Sequence, residues 1–199
     1  MAFFSNNGLN PKRKFRWIVQ FDGAQESGET LKVAAKAVNK PSYSLDVTKH
    51  KFINHEFNYP NRVVWNPINL TLIDHIGHGE GNTSVAAILY DMLGKGGYKT
   101  PVGEGTNACQ NSYTKARATT ALGQVKILQL AGENSRNKVT NLPNLLGSVG
   151  TSNEDVLETW TLNNAFLTKV EFGELSYDDD ALVEIKVEIV YDWADFAAG

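Results

Sequence analysis

The chain has 199 residues, 42% of them hydrophobic and 21% charged, with a formal net charge of −3. That length suits one domain, and the apolar fraction is large enough to bury a core, which excludes a wholly disordered chain. The slight acidic excess argues against a general nucleic-acid binder, which needs surplus Lys and Arg to neutralise phosphates.

Residues 1–12 read as an Asn-rich N-terminal arm with Pro11 near its end, followed by one domain over 13–195. Lys12, Arg13 and Lys14 come after the aromatic pair Phe3-Phe4, the reverse of a secretory signal. No run approaches the ~20 apolar residues of a membrane span, so a soluble product made in the cytoplasm, without a membrane anchor, is expected.

The first strand is expected over 15–21, where Phe15, Trp17, Val19 and Phe21 fall on one face. Asp22-Gly23 marks a turn. A second strand is expected over 31–38, with Leu31, Val33, Ala35 and Ala37 alternating with Lys32, Ala34 and Lys36; Pro41 stops it, because proline lacks the ladder donor. Residues 42–58 read as two short strands in a hairpin, with Tyr43, Leu45 and Val47 going out and Phe52 and Phe57 on the return. Asn66-Pro67 opens a strand over 68–73, whose Ile68, Leu70 and Leu72 share a face.

One helix stands out. Asn82 is positioned to cap it and Gly94 to stop it in a left-handed conformation, while Val85, Ile88, Leu89 and Met92 form an apolar stripe. The stripe carries no polar chemistry, so the helix is expected to pack on a sheet. Residues 94–123 are turn-rich, 125–130 read as a strand, and 132–155 as a long Gly-, Asn- and Ser-rich surface loop inserted into a hairpin. Three strands follow over 156–163, 166–172 and 182–193, with Asn163-Asn164 and residues 176–180 as turns. The fold class is therefore mainly β: an antiparallel β-sandwich or small barrel with one flanking α-helix.

Catalytic and metal chemistry is poorly represented. The lone cysteine, Cys109, has no neighbouring cation or histidine in sequence to activate it, and reads as a small apolar side chain. Asp74-His75-Ile76-Gly77-His78 has zinc-compatible ligand types but sits at a strand end among glycines, which favours a solvated loop. His50 and His55 flank an exposed hairpin. Asp178-Asp179-Asp180 lacks the spacing of a calcium loop, and Asp192 and Asp195 read as surface charges. Gly94-Lys95-Gly96-Gly97 follows a helix, whereas a phosphate cradle precedes one. No cofactor, metal or catalytic residue is expected, and the chain does not read as an enzyme.

The runs Asn10-Pro11-Lys12-Arg13-Lys14-Phe15-Arg16-Trp17-Ile18-Val19-Gln20-Phe21 and Ala35-Lys36-Ala37-Val38-Asn39-Lys40-Pro41 resemble the opening of tail tube proteins of contractile-tailed, marine-type phages. Asn54-His55-Glu56-Phe57-Asn58-Tyr59-Pro60-Asn61-Arg62-Val63-Val64-Trp65-Asn66 is similar to that family's hairpin return, leading to Leu72-Ile73-Asp74. Glu158-Thr159-Trp160-Thr161-Leu162-Asn163-Asn164-Ala165-Phe166 is the most specific match, followed by Val170-Glu171-Phe172-Gly173 and Tyr191-Asp192-Trp193-Ala194. The likeness spans roughly residues 10–93 and 123–195 in matching order; segment 132–155 is longer than the family pattern, and His75 stands where a proline is expected.

The resemblance implies a virion structural protein. Six copies would join edge to edge into rings, and rings would stack into the tail tube that conducts DNA into the host. Its partners would be itself, the sheath protein, baseplate and tail terminator proteins, and the tape measure protein and genomic DNA in the lumen. It would be assembled in the host cytoplasm and reside in the virion tail. The hairpin residues Tyr43, Lys49, Lys51, Phe52 and Phe57 are the expected inter-subunit contacts, because their own sheet is too small to bury them. Glu184, Lys186 and Glu188, alternating with Val183, Ile185, Val187 and Ile189, are the lumen-facing candidates; an outward, sheath-facing position, or one under the helix, is the alternative. A tube protein of a related injection or secretion system is the competing reading, and a metal enzyme built on His75 and His78 a distant one.

Overall fold

In the computed structural model of the chain, the described residues are 12–22, 26–75, 84–99, 112–131, 156–178 and 180–198. Expectations for residues 1–11, Cys109 and the insertion 132–155 lie outside them. The strands are β1 (Trp17–Asp22), β2 (Ala35–Val38), β3 (Ser42–Phe52), β4 (His55–Asn66), β5 (Ile68–Ile73), β6 (Gln124–Leu130), β7 (Val156–Asn163), β8 (Phe166–Glu171), β9 (Glu184–Val190) and β10 (Trp193–Ala198). The helices are α1 (Glu26–Ala34), α2 (Val85–Lys95) and α3 (Lys115–Leu122).

Period-two alternation places the apolar residues of β5 and β9 on one face. Ile68, Leu70 and Leu72 are buried and pair antiparallel with Ile189, Val187 and Ile185 of β9. These strands are the centre of a four-stranded sheet ordered β2-β5-β9-β8. A second four-stranded sheet runs β1-β6-β7-β10, with Val19 opposite Ile127 and Val125 opposite Leu162. The buried faces of both sheets, with Val85, Ile88, Leu89 and Met92 of α2, form one core. Each such fully buried side chain contributes about 1.5–3 kcal/mol of transfer free energy. The sequence left sandwich and barrel open; the described strands form two separate sheets and a two-stranded hairpin, with no closed barrel among them.

Several elements depart from the sequence expectation. The segment expected as a strand over 31–38 is the end of α1 and then the short β2. Leu31 and Ala34 are buried while Val33 is exposed, a helical spacing that strand alternation cannot satisfy. α3 occupies part of the stretch read as turns: Thr114 Oγ1 accepts from Arg117 N–H at 3.4 Å, and Gly123, at φ 74°, ends the helix. α2 runs through Gly94 rather than stopping there, and is capped by the Ser84 hydroxyl, which accepts from Ala87 N–H at 3.3 Å. Asn82 lies outside the described residues.

The run 182–193 is divided at Tyr191-Asp192 between β9 and β10, which belong to different sheets. Asp192 holds the corner: its carboxylate accepts from Lys115 Nζ at 2.6 and 2.7 Å and from Asn164 Nδ2 at 2.7 Å. These hydrogen bonds, and the Lys115 charge, hold its carboxyl below the usual range. Asp195 likewise accepts from Asn163 Nδ2 at 2.6 Å. Both residues are exposed, as expected from the sequence, and each also accepts a hydrogen bond from the Asn163-Asn164 turn.

Candidate assembly surface

β3 and β4 form a hairpin far longer than the two short strands expected. They pair from Ser42↔Asn66 to Phe52↔His55, with one irregularity between Leu45 and Val47. Every residue of β3 is exposed, and so is all of β4 except Trp65 and Asn66. A two-stranded ribbon exposing Leu45, Val47, Tyr59 and Val63 leaves much apolar surface in water.

The hairpin joins the body through its root. Trp65 packs on the core, with its ring centroid 5.4 Å from Tyr43 and 5.9 Å from Tyr191. Asn66 Nδ2 donates to Ser42 Oγ at 3.1 Å. Just before the root, Lys40 donates to Glu158 on β7, which also receives Lys12. Burial opposes ionisation of Glu158, but the two ammonium groups outweigh it and hold its carboxyl below the usual glutamate range. Its side chain is only 7% exposed, so these partners answer a charge that solvent barely reaches.

The five expected contact residues divide between two places. Tyr43 belongs to the root cluster, while Lys49, Lys51, Phe52 and Phe57 lie in the distal half. Lys49 pairs with Glu56 at 2.6 Å across the strands. Sequence reasoning missed the tip itself: Ile53, 86% exposed, sits at φ 53°. A β-branched residue in the left-handed region is strained and uncommon. The signal was the isolated Ile53-Asn54 between Phe52 and His55, where a tight turn would ordinarily place glycine.

Glu184, Lys186 and Glu188 share the face of β9 opposite the buried Ile185, Val187 and Ile189. Lys186 is exposed there, paired in register with Thr71 and Glu171. Glu184 accepts from Lys36, and Glu188 from Thr168 Oγ1 at 3.2 Å. Lys169 and Glu171 add a 2.5 Å ion pair on the neighbouring edge strand. The result is a charged, mixed-sign sheet face uncovered at its centre.

The metal-like segment resolves differently. Asp74 Oδ1 accepts from the backbone N–H of His75 at 3.1 Å and of Ala86 at 3.4 Å, so this carboxylate serves the first turn of α2. His78 lies outside the described residues. Among the described residues no group of three or more His, Cys, Asp or Glu side chains converges, and no helix is long and apolar enough to cross a membrane.

The fold is similar to that of chains in contractile injection assemblies. A chain of the cryo-EM structure of the anti-feeding prophage tube-terminating cap covers 100% of both chains, at TM-score 0.57 and 14% identity. One from an extracellular contractile injection system, the PVC sheath-tube complex in its extended state, matches at TM-score 0.56 and 13% identity, covering 100% of this chain and 99% of that one. One from the PVC sheath/tube terminator matches at TM-score 0.55 and 17% identity, covering 96% and 99%. At these identities the likeness is one of fold. No protein-family model matches the chain, and no curated protein does.

Proposed function

We propose that this chain is a structural subunit, not an enzyme, that polymerises as stacked hexameric rings into the inner tube of a contractile tail. The observation that carries the reading is the hairpin: eleven- and twelve-residue strands exposed on both faces except at Trp65 and Asn66. A ribbon of that kind is stable when neighbouring copies cover it. Among the described strands both sheets also end in edges, β1 and β10 in one, β2 and β8 in the other. Unpaired edges recruit further strands, closed rings satisfy them, and non-closing stacking contacts give a filament.

In the phage form of this reading, one tube domain spans 13–195, the tube resides in the virion tail after assembly in the host cytoplasm, and its lumen holds tape measure protein and then DNA. Sheath, baseplate and terminator proteins are its other partners. Lys49, Lys51, Phe52 and Phe57 meet adjacent subunits, and Glu184, Lys186 and Glu188 face the bore. A mixed-sign, slightly acidic lining avoids the counterion release that makes basic surfaces hold DNA. The solved chains named above favour a second reading, in which the same tube serves an injection system with another cargo. Negative-stain microscopy and sedimentation of the purified protein test both. Rings or tubes are expected; a monomer at high concentration overturns them.

A further inference from the structure

A groove of about 1190 Å³ opens between β1 and β2, where the core between the two sheets reaches the surface. Its lining carries Lys12, Arg13, Lys14, Lys32, Lys36 and Lys40 with one carboxylate, Glu158; Lys12 and Lys40 pair with that carboxylate and Lys36 with Glu184, so the rim charge offered to a partner is carried first by Arg13 and Lys14. The floor is aromatic and apolar, including Trp17 and Trp160. A chain of net charge −3 thus concentrates positive charge along one apolar slot.

The opposite edge of the β2-β5-β9-β8 sheet carries the complement. Residues 172–182, between β8 and β9, contain Glu174, Asp178, Asp179 and Asp180 and no Lys or Arg. Leu175 is 85% and Tyr177 110% exposed, so apolar side chains stand out among the acids. Gly173 sets the departure: at φ 87°, a Cβ there would lie 2.8 Å from the Glu184 carbonyl oxygen. Each neighbouring pair in this sheet is antiparallel, so β8 and β2 run in opposite directions. A second copy set beside the β8 edge therefore brings the start of its β2, with Lys36, next to the end of β8, where this segment begins.

We infer that residues 172–182 of one copy dock in the β1–β2 groove of the next, acids against the lysine-rich rim and Leu175 and Tyr177 against the Trp17–Trp160 floor. This rests on the ring-forming reading and names the contact that makes the ring run head to tail.

Charge exchange tests it. One variant carries Glu174→Lys with Asp178→Lys; another carries Arg13→Glu with Lys14→Glu. Circular dichroism checks that each is folded, and sedimentation reads assembly. Each alone is expected to raise the concentration needed for assembly by about tenfold or more, and an equimolar mixture to restore it, because the lysines placed at 174 and 178 then meet the glutamates placed at 13 and 14, while the unaltered acidic loop meets the unaltered basic groove. If wild type assembles and either variant assembles equally well, or the mixture does not recover, the docking is overturned while the ring reading stands. A synthetic peptide of residues 172–182, titrated into the full chain with Trp fluorescence as readout, decides the case if wild type fails to assemble. Saturable, salt-sensitive binding lost in the Arg13→Glu, Lys14→Glu variant supports the docking, and no binding overturns it.

Discussion

Lys40, just ahead of the hairpin, donates to Glu158, 118 residues further along the chain on β7. The same carboxylate takes Lys12. One nearly buried acid thereby ties the segment before β1, the entry to the hairpin and one sheet together. Its pH signature follows from a lowered folded-state value. The stabilisation is fully present above the ordinary glutamate range of about 4.3 and fades as pH falls from there through the folded value. Glu158→Gln should lose about 1–3 kcal/mol at neutral pH and show a flatter acid limb in urea midpoints measured from pH 7 to pH 3. An acid limb identical to wild type would place the acid sensitivity elsewhere.

Phe52 is 60% exposed in the distal hairpin, so a charge there costs the protomer little. Phe52→Asp is expected to leave the circular dichroism spectrum and thermal midpoint near wild type while abolishing sedimentable assemblies. Normal tubes from this variant would remove the hairpin from the assembly contacts.

Ile53 pairs strain with exposure, and one substitution separates the two. Asn accepts the left-handed conformation more readily than a β-branched residue. Ile53→Asn should raise protomer stability by about 1 kcal/mol in denaturant unfolding. It should also weaken assembly, because the apolar tip is lost. A variant that is stabilised and assembles as well as wild type would make the tip a mere turn.

Glu184→Lys with Glu188→Lys makes the exposed face of β9 strongly basic and breaks the Lys36 pair. If that face lines the bore, tubes still form, but cargo passage becomes slow and salt-sensitive. Unchanged passage with defective sheath attachment would put the face outside.

Ile185 is fully buried at the centre of the core. Ile185→Ala should cost about 2–5 kcal/mol, read as a lower urea midpoint with unchanged slope. A loss under 1 kcal/mol would mean that the two sheets can close over the gap.

How legible the fold was depended on how local its signals are. β5 and the β9 half of the last run follow strict alternation against a buried face, and the sequence reading placed them well. Leu31 failed because Leu31-Lys32-Val33-Ala34-Ala35 satisfies both periods over so few residues; only the burial of Leu31 with Ala34, and the exposure of Val33, decides for a helix. α3 has just two buried anchors, Ala118 and Leu122, too few for a stripe, although Thr114 and Gly123 were readable as caps. The division at Tyr191-Asp192 was invisible because apolar residues continue past it; the corner comes from Lys115 and Asn164, which are remote in sequence. For the same reason Glu158 looked like an ordinary strand glutamate. Of the hairpin candidates, Tyr43, Phe52 and Phe57 were legible as unburied aromatics, but Ile53 was not, since exposure at a turn leaves no periodic trace.

The hairpin's length has a mechanical consequence. Eleven residues of β3 span ~36 Å at ~3.3 Å per residue, while the rings of Tyr43, Trp65 and Tyr191 anchor only its base. The ribbon is a lever with a short bearing. A tilt of ~5° at the base swings the far end through ~3 Å, close to the width of an atom-to-atom contact. Small changes in how those three rings seat are therefore magnified at the tip, and any defect in the bearing is felt first by whatever the far end touches.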